Sequence, residues 1–163
     1  MPKFQDHITQ ANKNLAFLEI INHTAPEHHD WQVTTCFYTA LHLVNAHLAH
    51  FDMQYRSHTD VKYAINPHNS TSIMRLPEDI YVAYESLFSH SRRSRYLINN
   101  KDDKLHTDIM AFTGSKHLAK VIRHLDTICI YFAQLYNLDI PITSIKCNQI
   151  TDRGDFTFFK IEK

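Results

Sequence analysis

Residues 31–51 read WQVTTCFYTALHLVNAHLAHF, and this stretch decides the fold. Apolar residues fall on almost every side of a helix drawn through it, at Trp31, Val33, Cys36, Phe37, Tyr38, Ala40, Leu41, Val44 and Leu48. A helix with so little polar face is typical of the centre of a bundle. Asp30 directly precedes this helix and can cap it, because its carboxylate accepts first-turn amide hydrogens.

Amphipathic helical patterns lie on both sides of this central stretch. Apolar residues recur every three or four positions over Phe4 to Ile21, Ile80 to Tyr96, Leu105 to Phe112 and Leu118 to Leu135. Ser57 and Asp60 have the spacing of a capping box, which predicts a short helix over 58–66. Gly114 marks a kink or a break between the last two patterns.

The C-terminal residues change in character after Asn137. Alternating residues from Ile142 to Asn148 and the run Phe156 to Ile161 predict two short strands around the turn Asp152-Arg153-Gly154. With only 2 glycines, the chain favours long helices over a many-turned sheet. We therefore predict an all-α, up-down bundle of about five helices over 1–138, with a short C-terminal β-hairpin or extended arm over 139–163 of the same domain.

Composition places few limits on function. The 17 basic residues balance the 17 acidic ones, so nucleic-acid binding would require a local patch. Three widely spaced cysteines predict no disulfide framework, and the sequence shows neither a signal peptide nor a long uncharged apolar run. We expect a cytoplasmic protein that does not insert into membranes.

The densest candidate site is Ser91-Arg92-Arg93-Ser94-Arg95-Tyr96. Arg92, Arg93 and Arg95 can hold phosphate oxygens, and Tyr96 offers a hydroxyl or a stacking face. The simpler alternative is that arginines at a helix C-terminus complement the helix dipole.

A second candidate lies at Tyr55-Arg56-Ser57-His58. At a helix N-terminus the dipole disfavours a charged imidazole, so His58 can act as a base beside a phosphate held by Arg56. The alternative is a partly solvated first-turn histidine. An up-down bundle brings the end of the second long helix and the end of the fourth to the same pole, which would place His58 near the arginines.

The 13 histidines of the chain are candidate metal ligands. His28 and His29 are adjacent and point apart, and His42, His47 and His50 lack the spacing of a zincin motif. His42, inside the apolar stretch, is better explained as a hydrogen-bonded core histidine. We predict no metal site and no cofactor.

The order of these pieces resembles bacterial members of the HEPN domain superfamily. The resemblance spans residues 5–136 and is carried by 30–34 and 36–46 (DWQVT and CFYTALHLVNA), 56–60 (RSHTD) and 91–96 (SRRSRY). It implies a helical bundle that forms a homodimer, and a toxin or defence protein that cleaves RNA without metal. His58, Arg95 and Arg92 would be catalytic, Arg93, Tyr96 and Arg56 would bind substrate, and an antitoxin would be a partner.

One departure from the family pattern leaves two hypotheses open. The family signature is an arginine and a histidine separated by four to six intervening residues, and no arginine of the chain has a histidine at that distance. Either another histidine such as His58 or His90 transfers the proton, or the protein binds RNA, nucleotide phosphate or a protein without catalysis. The first hypothesis is a metal-independent endoribonuclease or RNA-binding protein, and the second is a helical dimerisation or interaction module.

Overall fold

The computed structural model describes residues 2–96, 113–152 and 155–162. Within these residues it has five helices and two strands: α1 (Phe4–Thr24), α2 (His29–His50), α3 (His58–Ile65), α4 (Glu78–Tyr96), α5 (Ser115–Tyr136), β1 (Thr143–Lys146) and β2 (Phe159–Glu162). The predicted all-α bundle is confirmed. The helical pattern from Leu105 to Phe112 and the turn residues Arg153 and Gly154 lie outside the described residues.

Helix α2 occupies the centre of the bundle, as its sequence predicts. It packs against α1, α4 and α5, and Val33, Phe37 and Val44 are completely buried. Trp31, in the first turn, differs from this pattern because its side chain is 60% exposed. The core around α2 fixes where the neighbouring helices can place their polar side chains.

The start of α2 corrects one prediction. His28 occupies the N-cap position and α2 begins at His29, so Asp30 lies inside the first turn and does not cap the helix. A turn after Pro26 brings the chain into helical geometry early, with the His28 amide donating to the Ala25 carbonyl at 3.1 Å. By contrast, Ser57 caps α3 as predicted, because its hydroxyl accepts from the Asp60 amide at 3.1 Å.

The two predicted C-terminal strands are present and pair with each other within the chain. Thr143 pairs with Phe159 and Lys146 with Glu162, so the strands run parallel, whereas a hairpin would be antiparallel. The described residues between them, 147–152 and 155–158, therefore belong to a crossover. It is held against α5 because the buried carboxylate of Asp126 accepts from the amides of Thr157 and Phe158 at 3.1 and 2.8 Å.

The three cysteines, Cys36, Cys129 and Cys147, are unpaired and buried. Burial raises the pKa of each thiol above its ordinary value, so the thiolate form is scarce at neutral pH. In the described part of the chain, no helix is both long and apolar enough to cross a membrane.

Candidate functional site

An open cleft of about 710 Å³ lies between α3 and α4. A cleft of this size falls within the range of about 300–1,000 Å³ that is usual for small-molecule sites. It is lined by two arginines, a lysine, a histidine and several aromatic rings: His58, Thr59, Lys62, Tyr63, Asn66, Tyr81, Phe88, Arg92, Arg95 and Tyr96. None of these ten residues carries a carboxylate.

Helical spacing explains how each helix presents its side of the cleft. On α3, His58 and Lys62 are four residues apart, which keeps them on one face, and Asn66 follows directly after the end of the helix. On α4, Arg92 and Arg95 are three residues apart and share a face in the same way. The ion pair between Lys62 and Glu85, at 2.5 Å, joins the two helices.

His58 and Arg95 meet over the same two aromatic rings of α2. The His58 ring lies 5.4 Å from the ring of Phe37 and 6.3 Å from that of Tyr38, between centroids. The Arg95 guanidinium carbon lies 5.9 Å from the centroid of each of these rings. Both groups are therefore positioned by a rigid aromatic floor.

The environment of His58 favours its neutral form. Partial burial, and next the positive charge of Arg95, lower the pKa of His58 below its ordinary value of 6.5. Most His58 rings are consequently unprotonated at neutral pH, and a neutral ring can accept a proton. The predicted property of His58 thus has a physical cause in burial and Arg95, in addition to its place at the N-terminus of α3.

Aromatic rings line the cleft beside the cations. The Arg92 guanidinium carbon and the Lys62 ammonium each lie 5.9 Å from the centroid of Phe88. The Arg95 guanidinium carbon lies 5.2 Å from the Tyr96 ring. Tyr63 and Tyr96 are 65% and 58% exposed, so flat rings face solvent at the cleft.

Three residues named from the sequence lie away from this cleft. Arg93, one position along α4 from Arg92, points to a different face, and its charge acts on His90 and His117. His90, the other histidine considered as a base, packs against His117 with ring centroids 5.8 Å apart. Arg56 is exposed and does not line the cleft. The structure therefore brings together His58, Arg92, Arg95 and Tyr96.

These four residues converge by a route that the sequence did not indicate. The expected meeting point was the end of α2, but the floor residue Phe37 lies about 20 Å before that end at 1.5 Å per helical residue. The segment 51–57 runs back from the end of α2 and brings His58, the first residue of α3, beside Phe37. Depth in the bundle explains the burial of the His58 ring.

Sequence reasoning missed the part of the cleft that α3 supplies. Thr59, Lys62, Tyr63 and Asn66 line the cleft although the sequence singled out only His58 in this helix. The spacing of His58 and Lys62 was a usable signal, since residues four apart share a helix face.

His42, the histidine predicted to lie in the core, contacts His7 of α1. A ring nitrogen of His42 is 3.1 Å from one of His7, so His42 is hydrogen-bonded as expected, but it is half-buried rather than in the core. Across residues 2–96, 113–152 and 155–162, no group of three or more His, Cys, Asp or Glu side chains could hold a metal ion.

Comparison with protein-family models, with curated proteins and with solved structures found no match to this chain.

Proposed function

We propose that the cleft between α3 and α4 binds single-stranded RNA and cleaves it without a metal ion. One observation carries this proposal: a histidine of lowered pKa, two arginines and two exposed tyrosines line the same open cleft. Cations suit phosphates, aromatic faces suit unpaired bases, and a neutral imidazole suits proton removal from a hydroxyl.

Single-stranded RNA fits this arrangement better than a duplex. Exposed rings such as Tyr63 and Tyr96 can stack only on bases that are not already stacked in a helix. Arg92 and Arg95 are three residues apart on one helix face, so both guanidiniums can reach phosphate oxygens of a strand lying along the cleft. Although Glu85 pairs with Lys62, the guanidiniums of Arg92 and Arg95 give the cleft a positive charge, which favours a polyanion.

The cleavage step follows from the position of His58. The neutral ring accepts the proton of a ribose 2′-hydroxyl, the 2′-oxygen bonds to the adjacent phosphorus, and the bond from phosphorus to the 5′-oxygen breaks. The proton then passes from the imidazolium to the 5′-oxygen. The products are a 2′,3′-cyclic phosphate and a 5′-hydroxyl, and His58 returns to its neutral form.

Arg95 supplies the electrostatic part of this mechanism. Negative charge grows on the phosphate oxygens as the 2′-oxygen attacks, and a guanidinium fixed over Phe37 and Tyr38 can donate hydrogen bonds to them. A single well-placed donor contributes about 3 kcal/mol to transition-state stabilisation. Arg92, which is more exposed, serves chiefly to bind the strand.

The HEPN resemblance supports the same activity and extends it. Its further implications are a cytoplasmic toxin or defence protein of bacteria, a homodimer and an antitoxin partner, and these remain predictions. Light scattering after size-exclusion chromatography tests the homodimer directly.

Incubation of the purified protein with end-labelled single-stranded RNA in EDTA tests the proposed activity. We expect cleavage products ending in cyclic phosphate, and loss of cleavage in both His58→Ala and Arg95→Ala. The matched controls are His68→Ala and Arg75→Ala, since both residues are exposed and do not line the cleft.

Two results would contradict the proposal. Cleavage that survives both cleft substitutions would assign the activity to another site or to a contaminant. Absence of both RNA binding and cleavage by the wild-type protein, with a dimer retained, would favour the alternative of a helical interaction module.

A further inference from the structure

A second group of basic side chains lies between α4 and α5, on the other side of α4 from the cleft. On α5, His117, Lys120 and His124 recur at intervals of three and four residues, so they share one helix face. The ring of His90, on α4, lies 5.8 Å from that of His117. We call the surface formed by His90, Arg93, His117, Lys120 and His124 the α4–α5 groove.

A concave surface beside α5 shares Lys120 and His124 with the groove. This cavity has a volume of about 400 Å³ and is lined by Lys116, Ala119, Lys120, Arg123, His124 and Gln149. Arg123 is engaged by an ion pair with Asp152. Lys120 is exposed and belongs both to the groove and to the cavity, so a ligand in the cavity can reach its ammonium group.

The charges that act on the three imidazoles of the groove are all positive among the described residues. Burial is the main cause that lowers the pKa of all three rings, and the charge of Lys120 lowers each pKa further, while the hydrogen bond to the Ser86 carbonyl raises that of His90. Like charges held close together repel one another, and a bound anion would relieve that repulsion.

Hydrogen bonds to the backbone leave one nitrogen of two rings available. His117 Nδ1 accepts from the Gly114 amide at 3.0 Å, so its neutral ring carries the proton on Nε2 and can donate it. His90 Nδ1 donates to the Ser86 carbonyl at 2.7 Å, so its Nε2 becomes a donor only when the ring is protonated. Anion binding at His90 would therefore be accompanied by proton uptake.

From this juxtaposition we infer that the α4–α5 groove is a second anion site, which takes a phosphate group between the imidazoles of His90, His117 and His124 and the ammonium of Lys120. The imidazoles and the ammonium offer hydrogen-bond donors and positive charge, which suit a phosphate. The phosphate can belong to a small ligand or to a nucleic-acid strand. This site is separate from the RNA cleft and does not depend on the activity proposed for it.

Histidine ring resonances followed by NMR in the full-length protein test the site. Inorganic phosphate is added in one series and a single-stranded 12-nucleotide RNA in another, and exposed His28 and His68 serve as internal references. We expect ligand to raise the pKa of His90, because its protonated ring donates to the anion. Lys120→Glu should weaken binding about tenfold or more, whereas Lys13→Glu, an equal charge change on an exposed α1 residue, should change it less than about twofold.

The two ligand series distinguish the source of the phosphate. A response to inorganic phosphate that Lys120→Glu removes supports a site for small phosphorylated ligands. A response to RNA alone, also removed by Lys120→Glu, supports a site for a nucleic-acid backbone. If neither ligand moves these resonances, or if Lys120→Glu and Lys13→Glu behave alike, the inference is overturned.

The outcome is also independent of RNA cleavage. Lys120 does not line the RNA cleft, so Lys120→Glu should leave the cleavage rate of a trinucleotide unchanged. Loss of groove binding with normal cleavage would locate the defect in the groove, and loss of cleavage with normal groove binding would locate it in the cleft.

Discussion

The two sides of α4 differ in the chemistry that surrounds their arginines. On the α3 side, Arg92 and Arg95 lie among Phe37, Tyr38 and Phe88. On the α5 side, Arg93 lies among imidazoles and a lysine. Since successive residues of a helix are rotated by about 100°, three arginines in four positions cannot serve one site. The difference teaches that arginines that are clustered in sequence can be divided between a cleft with aromatic rings and a groove of basic side chains.

The largest expected effect is a difference in RNA cleavage rate between Arg95→Ala and Arg93→Ala. Arg95→Ala should lower the single-turnover cleavage rate of a short RNA about 100-fold or more, because the developing phosphate charge loses its donor. Arg93→Ala should leave the rate within about threefold, since its charge faces α5. Quenched-flow measurement of both variants, with circular dichroism as a folding control, checks the comparison. Equal losses of cleavage rate would show that Arg93 and Arg95 act in the same site.

A smaller effect is expected from the stacking surface. Tyr63→Ala should weaken single-stranded RNA binding about tenfold, because base stacking on one ring contributes about 1–3 kcal/mol. Phe17→Ala is the matched control, because Phe17 is a 49% exposed ring on α1 outside the cleft. Fluorescence anisotropy with a labelled oligonucleotide gives both affinities. An unchanged RNA affinity in Tyr63→Ala would show that bases do not stack on this ring.

Arg92 should contribute a phosphate contact that salt can weaken. Arg92→Gln should reduce the slope of log K against log salt by about 0.7, the value for one phosphate contact of a single strand. Arg93→Gln should not change the slope for a trinucleotide that occupies only the cleft. Titrations at several potassium chloride concentrations measure the two slopes. A slope reduced in Arg93→Gln and unchanged in Arg92→Gln would show that Arg93, and not Arg92, contacts the phosphate.

The smallest expected effect is a crossed change in histidine pKa. Arg95→Ala should raise the pKa of His58, because it removes a cation that opposes protonation, and should leave that of His117 unchanged. Arg93→Gln should raise the pKa of His117 and His90 and leave that of His58 unchanged. Titration of the ring resonances by NMR reports all three values.

The lowered pKa of His58 determines how the rate of RNA cleavage depends on pH. A base acts in its neutral form, so the rate should fall as pH drops through the pKa of His58, which lies below 6.5. Above neutral pH the rate should be flat with respect to this group. A rate that instead rises on acidification would indicate that His58 acts as an acid.

Local sequence signals predicted the helices but not all of the tertiary arrangement. Periodic apolar residues located α2, and the capping box of Ser57 and Asp60 located the start of α3, because both features act within one helix. The parallel direction of β1 and β2 depends on distant contacts such as the Asp126 carboxylate on α5, which no local pattern reveals.

The sequence predicted only part of the candidate site, because the cleft combines residues that are distant in the chain. The sequence singled out His58, Arg92, Arg95 and Tyr96 because these residue types bind phosphate and transfer protons, and they line one cleft. It grouped Arg93 with them because neighbours in sequence were treated as neighbours in space. It could not supply Phe37 and Tyr38 as the floor of the cleft, since that requires knowing that the segment after α2 brings His58 back to the middle of α2.

The burial of all three cysteines gives the protein a practical property. Cys36, Cys129 and Cys147 should react slowly with maleimides in the folded state, because a thiolate must form and be reached by the reagent. A cysteine introduced at Thr59, an exposed position on the rim of the cleft, would be the fast-reacting thiol. A fluorophore attached there would report ligand occupancy of the cleft without the removal of any native cysteine.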